Sequence, residues 1–103
     1  MEPLLEVKSK ALGTGVPSSL RAYPEQVEVR TVRSPREVDV QMVRYDEISK
    51  VEIERGMTFA ELKVKTRGLL RGKSLLVAGL SVEDAEHAKA FLEERVARAG
   101  ANS

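Results

Sequence analysis

The sequence contains no cysteine and no tryptophan, a single histidine, and only two tyrosines and two phenylalanines. Without cysteine, a disulfide framework, a thiolate nucleophile and a Cys-ligated zinc or iron–sulfur site are all excluded. The single imidazole, His87, falls on the polar face of a predicted helix. A metal site needs more ligands than Glu83 and His87 supply at i, i+4, and no Ser-His-acid set has a convincing second member. Asp46 and Glu47 are adjacent carboxylates in a predicted turn, which is typical of a capping or turn-stabilising role. We therefore expect no enzymatic activity and no metal or other cofactor.

Long apolar runs and an excess of either charge are also lacking. The longest apolar run, Leu75–Leu80, is far shorter than the ~20 residues that a membrane span needs. The first residues, 1–3, have neither the basic nor the apolar region of a secretory signal, so we expect a cytoplasmic protein. With 17 basic and 16 acidic side chains, the net charge of +1 creates no global field toward nucleic acid or membranes. The 103 residues are expected to form one domain, 1–103.

Alternation of apolar and polar residues dominates positions 4 to 80 and predicts about seven half-buried strands. Each run gathers its apolar residues on one face, which we expect to face the core. The alternation slips at residues 31–32, which indicates a bulge or a strand end, and the continuous apolar run 75–78 predicts a strand buried on both faces. Turn residues recur about every 10 to 13 positions, a spacing typical of antiparallel meanders. The predicted strands cover about 4–11, 19–23, 27–30, 38–42, 51–54, 60–65 and 75–78.

The pattern changes after Leu80 to that of an amphipathic helix over about 81–99. Ser81 is the predicted N-cap, Asp84 follows three residues later, and Gly100 is the expected residue just beyond the helix. A sheet of seven strands leaves open edges that one terminal helix can cover, which favours a plugged barrel or sandwich. The alternative is a sheet of four to five strands with one helix on a face. The apolar stripe of the helix consists of Ala85, Ala88, Leu92, Val96 and Ala99, with Phe91 at its edge.

The stretch from about Val40 to Val96 resembles the small bacterial pleckstrin-homology-like domains. Its strongest part is the segment 43–53, VRYDEISKVEI, which looks like the family's step from one strand through an acidic turn into the next. A second match runs from 62–64 through a glycine-containing hairpin to 75–80 and the final helix. The resemblance implies a mainly β fold, a bent antiparallel barrel of about seven strands capped by one C-terminal helix. It also implies a role as a binding or scaffolding module.

One local charge feature stands out, a segment over 63–73 with five cations and no acid. Two leucines lie between its glycines. The segment allows three interpretations: a solvated hairpin whose leucines fold back onto the core, a protein interface, or a loop that inserts into the surface of an anionic bilayer. The candidate binding residues are Lys63, Lys65, Arg67, Leu69, Leu70, Arg71 and Lys73.

We therefore expect a non-enzymatic pleckstrin-homology-like module that acts through protein–protein contacts, including self-association. The alternative is peripheral binding to anionic membrane lipids through the basic 63–73 hairpin. Nucleic acid is not an expected partner, because acidic residues interleave with Arg30, Arg33 and Arg36 and few aromatic residues are present to stack on bases. No small-molecule substrate is evident. A small hydrolase or isomerase is the third class, which would need a deep polar pocket with convergent ionisable groups.

Overall fold

The structure, a computed structural model, describes residues 2–10, 17–34, 36–67 and 74–101. Within them the chain forms seven strands, a short 3-10 turn at Tyr45–Glu47 and a C-terminal helix, which confirms the predicted element order. The strands and helix are β1 (Leu5–Lys8), β2 (Ser18–Ala22), β3 (Gln26–Ser34), β4 (Glu37–Arg44), β5 (Ile48–Arg55), β6 (Ala60–Thr66), β7 (Ser74–Leu80) and α1 (Val82–Ala101).

The strands form two antiparallel sheets in which each strand pairs with its neighbour along the chain. The first sheet has the order β1-β2-β3-β4 and the second the order β5-β6-β7. Over the described ranges the two ladders stay separate rather than closing into one, so the observed architecture is two sheets and a helix. The alternative of one sheet with four to five strands is wrong. A register shift between Val32 and Ser34 lies at the predicted break in alternation.

The core lies between the two sheets and α1. The alternating residues that point inward include Leu20, Val27 and Leu62, which are fully buried. Burying such a side chain contributes about 1.5–3 kcal/mol relative to leaving it exposed. α1 packs mainly on β5, the 3-10 turn and β6. The predicted stripe of the helix is confirmed, with Ala85, Ala88 and Leu92 fully buried and Phe91, Val96 and Ala99 packed against the core at its margin.

The structure confirms the predicted start of α1 but not its predicted end. The backbone N–H of Asp84 donates to Ser81 Oγ at 3.1 Å, which confirms Ser81 as the N-cap. At the other end the helix continues to Ala101, so Gly100 lies in its last turn and the predicted end near residue 99 is too early. Glycine permits the left-handed conformation that ends many helices but does not impose it.

β7 is buried on one face only, so the prediction of two buried faces is wrong. Leu75 and Val77 are buried, whereas Leu76 between them is 44% exposed. The reason is that the second sheet packs on the core with one face only, so the outer side of β7, like that of the central strand β6, points to solvent. Gly79, with a φ of 70°, lies in a bulge at the end of the strand, where the ladder with β6 shifts register. The extra residue lets Leu80 point into the core.

Two serines connect the first sheet to β7. Ser9 Oγ donates to the carbonyl of Ala78 at 2.6 Å, and the backbone N–H of Ala78 donates to Ser18 Oγ at 3.1 Å. Beside them the backbone N–H of Lys10 donates to the carbonyl of Gly79 at 2.6 Å. We call Ser9, Ser18 and Ala78 the serine clasp. Together with the Lys10–Gly79 bond, it joins two sheets whose ladders are separate in the described residues.

Candidate functional site

Three of the seven residues of the predicted basic site, Lys63, Lys65 and Arg67, lie in the described part of the chain. Leu62 and Val64 of β6 are fully buried, so the alternating Lys63 and Lys65 point to the outer face of the second sheet. Arg67 follows the end of β6 and is exposed. The other four predicted residues lie outside the described residues: Leu69, Leu70, Arg71 and Lys73.

The lysines of β6 surround a carboxylate of β5. Lys65 Nζ lies 2.7 Å from Glu52 Oε1, and Lys63 is the cross-strand partner of Glu52. Lys65 lowers the pKa of Glu52 most strongly, and the charges of Lys50 and Lys63 lower it further. Sequence reasoning missed Lys50, which the ladder places opposite Lys65. Lys50 is distant from 63–73 in the sequence, so only the strand register shows that it shares a face with Lys63 and Lys65.

Arg67 and the acidic turn stabilise each other's backbone. Arg67 Nη2 donates to the carbonyl of Ile48 at 2.9 Å, and its backbone N–H donates to the carbonyl of Glu47 at the same distance. Glu47 Oε1 accepts the backbone N–H of Arg44 at 3.0 Å, and Arg44 Nη2 donates to Asp46 at 2.8 Å. These bonds confirm the predicted turn-stabilising role of Asp46 and Glu47. They also show that Arg67 is engaged within the protein itself.

The largest departure from the predicted faces is in β4. Val38, Val40 and Met42 share one face, as the alternation predicts, but they are 48%, 46% and 46% exposed. The expectation that this face points to the core is therefore wrong. We call these three residues the β4 stripe.

The register of β3 with β4 explains this orientation. Val43 is buried and lies opposite the fully buried Val27. Counting back from Val43 in steps of two places Gln41 and Asp39 on the inward side, which leaves the β4 stripe on the outer side. The sequence signal was ambiguous because Met42 and Val43 are adjacent apolar residues, and either one can set the phase of the strand.

The β4 stripe lies on an outer strand with a charged border. Within the described chain β4 pairs with β3 alone, so its other side is an open edge of the four-stranded sheet. Arg30 lies opposite Val40 and Glu28 opposite Met42, and Arg30 Nη2 is 3.8 Å from Glu28 Oε1. Exposed alternating apolar residues on an outer strand form a surface that favours association with another chain.

Charged residues also line clefts among the described residues, and two of these clefts lie at the 3-10 turn and beside β4. The first, of about 400 Å³, lies between the 3-10 turn and the end of α1 and is lined by Arg44, Arg95 and Arg98. Its arginines are engaged, since Arg98 bonds Glu94 at 2.6 Å and Arg95 lies 5.3 Å over the ring of Phe91. The second, of about 250 Å³, lies between the inner faces of β3 and β4 and the start of β7. In the second cleft, Arg33 and Asp39 form an ion pair with each other.

His87 is exposed on α1, as predicted. The described residues contain no group of three or more histidine and carboxylate side chains placed to hold a metal ion. Among these same residues, no helix combines the length and the apolar character required to cross a bilayer. Comparisons of the chain with protein-family models, curated proteins and solved structures find no match. The β4 stripe and the lysines on the second sheet are therefore the two candidate binding surfaces.

Proposed function

We propose that the protein is a non-enzymatic binding module that acts through protein–protein contacts, and that the β4 stripe is its contact surface. One observation carries the proposal: three alternating apolar side chains, each almost half exposed, lie on a strand with an open edge. A solvent-facing strand ordinarily carries polar residues at these positions or blunts its edge with charge.

We further propose that the chain is a pleckstrin-homology-like domain, a bent barrel capped by α1. Seven antiparallel strands followed by one terminal helix support this assignment, since the sequence resemblance implies the same order. The bond from Lys10 to Gly79 and the serine clasp lend support as well, because they hold the first sheet against β7. The barrel serves as a rigid frame that presents β4.

The physical benefit of covering the β4 stripe comes from two sources. A partner strand would satisfy the backbone groups on the open side of β4 and cover its apolar side chains. Full burial of a Val or Met side chain is worth about 1.5–3 kcal/mol, and almost half of each of these side chains is still exposed. About 0.7–1.5 kcal/mol per side chain therefore remains available for binding.

Site-specific photo-crosslinking in cells that express the protein tests the proposal. A photoreactive amino acid replaces Val40, and in a matched control it replaces His87, which is exposed on α1. We expect a discrete protein adduct from position 40 and none from position 87. Absence of an adduct from position 40, or equal adducts from both positions, would contradict the proposal.

A second candidate function is peripheral binding to anionic membranes. The observation that favours it is one end of the outer face of the second sheet, where Lys50, Lys63 and Lys65 surround Glu52. The paired Glu54 and Glu61 lie further along the same face, so the excess of cations is confined to this end. Leu76, opposite Lys63, adds an exposed apolar side chain. Each cation near an anionic surface contributes about 1 kcal/mol, and salt screens this attraction.

Liposome flotation tests this second candidate. We expect co-flotation with anionic but not neutral liposomes at low salt, and weaker binding at physiological salt. The double variant Lys50→Glu/Lys63→Glu should bind less than the parent chain. Lys89→Glu, on α1, is the control for charge reversal away from this face. No flotation with anionic liposomes at low salt, or an equal loss for Lys89→Glu, would rule out this candidate.

A further inference from the structure

We infer that the partner of the β4 stripe is a second copy of the same chain, paired with it antiparallel through β4 about a two-fold axis at Val40. The inference rests on the proposed function and specifies the partner and the register. It joins two four-stranded sheets into one of eight strands and removes both open β4 edges.

Geometry restricts the registers that such a pair can adopt. A two-fold axis perpendicular to the sheet keeps outer faces on one side, and opposite residues in an antiparallel pair share a face. Only registers centred on a residue of β4 meet both conditions. Centring on Asp39 places two carboxylates opposite each other, which is unfavourable. Centring on Gln41 places the apolar Val38 opposite Arg44.

The register centred on Val40 places apolar residues opposite apolar residues on the outer face. Val40 faces its own copy, and Val38 of each chain faces Met42 of the other. Since Val38 also lies opposite Val32 within its own chain, the apolar surface continues onto β3 on both sides. All six exposed side chains of the two β4 stripes meet in one cluster, bordered by the Arg30 and Glu28 side chains.

On the inner face this register pairs polar residues near the axis, and towards the strand ends it places Glu37 opposite Val43 of the other copy. Asp39 of each chain lies opposite Gln41 of the other, which allows the amide to donate to the carboxylate. Beyond the strand, Arg36 would face Arg44 of the other copy. The Arg44 charge is already offset by Asp46, whose carboxylate lies 2.8 Å from Arg44 Nη2. The register therefore places no uncompensated pair of like charges within β4.

Molar mass tests the pairing. Sedimentation velocity and light scattering of the purified chain should give a species of twice 11.4 kDa that dissociates on dilution. Val40→Lys places two ammonium groups opposite each other at the axis and removes two apolar side chains. We expect the dissociation constant to rise by at least about tenfold. The matched control is Leu4→Lys, which makes the same kind of change at an exposed apolar site just before β1, at the opposite edge of the same sheet.

Introduced cysteines test the register, and the native chain supplies no competing thiol. Under mild oxidation Val40→Cys should form a disulfide-linked pair, because the two introduced thiols face each other at the axis. Val38→Cys alone should not, whereas a mixture of Val38→Cys and Met42→Cys should form mixed pairs. Each of these cysteine variants changes one exposed residue, so they test the register even if Val40→Lys does not fold. Circular dichroism would show whether Val40→Lys is folded.

The remaining outcomes separate this inference from the proposed function. A monomer at all concentrations, with a position-40 adduct to a different protein, overturns the self-pairing and leaves the proposed function standing. A monomer that gives no position-40 adduct overturns both. A dimer that resists Val40→Lys, or that crosslinks through Val38→Cys alone, overturns the register and the surface. Flotation with anionic liposomes by a monomer that gives no adduct supports the second sheet as the functional face instead.

Discussion

The serine clasp gives the most specific prediction about stability, because the hydroxyl of Ser18 on β2 accepts a hydrogen bond from the backbone of β7 in the other sheet. Ser18→Ala keeps the β-carbon and removes only Oγ, which accepts the backbone N–H of Ala78 at 3.1 Å and lies 3.2 Å from Ser9 Oγ. Ser18 is buried, so water cannot freely replace the lost acceptor. Leaving a buried donor unpaired costs about 1–3 kcal/mol. In a domain of this size, that cost lowers Tm by roughly 5–15 °C.

Urea denaturation followed by circular dichroism measures the free energy of unfolding of each variant. The matched control is Ser19→Ala, because Ser19 is half-buried and points to the other face of β2. We expect the control to change stability by less than about 0.5 kcal/mol. The double variant Ser9→Ala/Ser18→Ala should lose less than the sum of the single losses, because the two hydroxyls belong to one network. A Ser18→Ala loss no larger than that of Ser19→Ala would refute the reasoning.

Three further predictions concern the core, the bulge and a buried phenol. Leu92→Ala should cost about 2–5 kcal/mol in urea denaturation, since Leu92 is fully buried, and a loss below about 1 kcal/mol would contradict the described packing. Gly79→Val should cost at least about 1–2 kcal/mol, because φ is 70° there, whereas Gly79→Asn should cost less; equal costs would argue against the left-handed bulge. Burial raises the pKa of Tyr45 above 10.0, opposed by the charge of Arg95. The unfolded chain therefore releases this proton first, and stability should fall as pH rises above about 10. The fall should be shallower in Tyr45→Phe, and parallel curves for both proteins between about pH 9 and pH 11 would contradict the assignment.

Local patterns in the sequence determined the elements. Alternation and turn residues predict the seven strands, and the slip at residues 31–32 marks the observed register shift in β3. The helical stripe and the Ser81 cap were predictable for the same reason, since side-chain periodicity and capping depend on residues only a few positions apart. The acidic turn at Asp46 and Glu47 likewise acts on backbone groups within a few positions of itself.

Pairing between distant strands decided the features that matter for binding. The buried Val43 opposite Val27 turned the β4 stripe outward, although its alternation alone is equally compatible with a core-facing strand. Register also placed Lys50 beside the lysines of β6, and the packing of the two sheets brought Ser9 and Ser18 to β7. Periodicity specifies which residues share a face, but only the tertiary arrangement decides whether that face meets the core, the solvent or another chain.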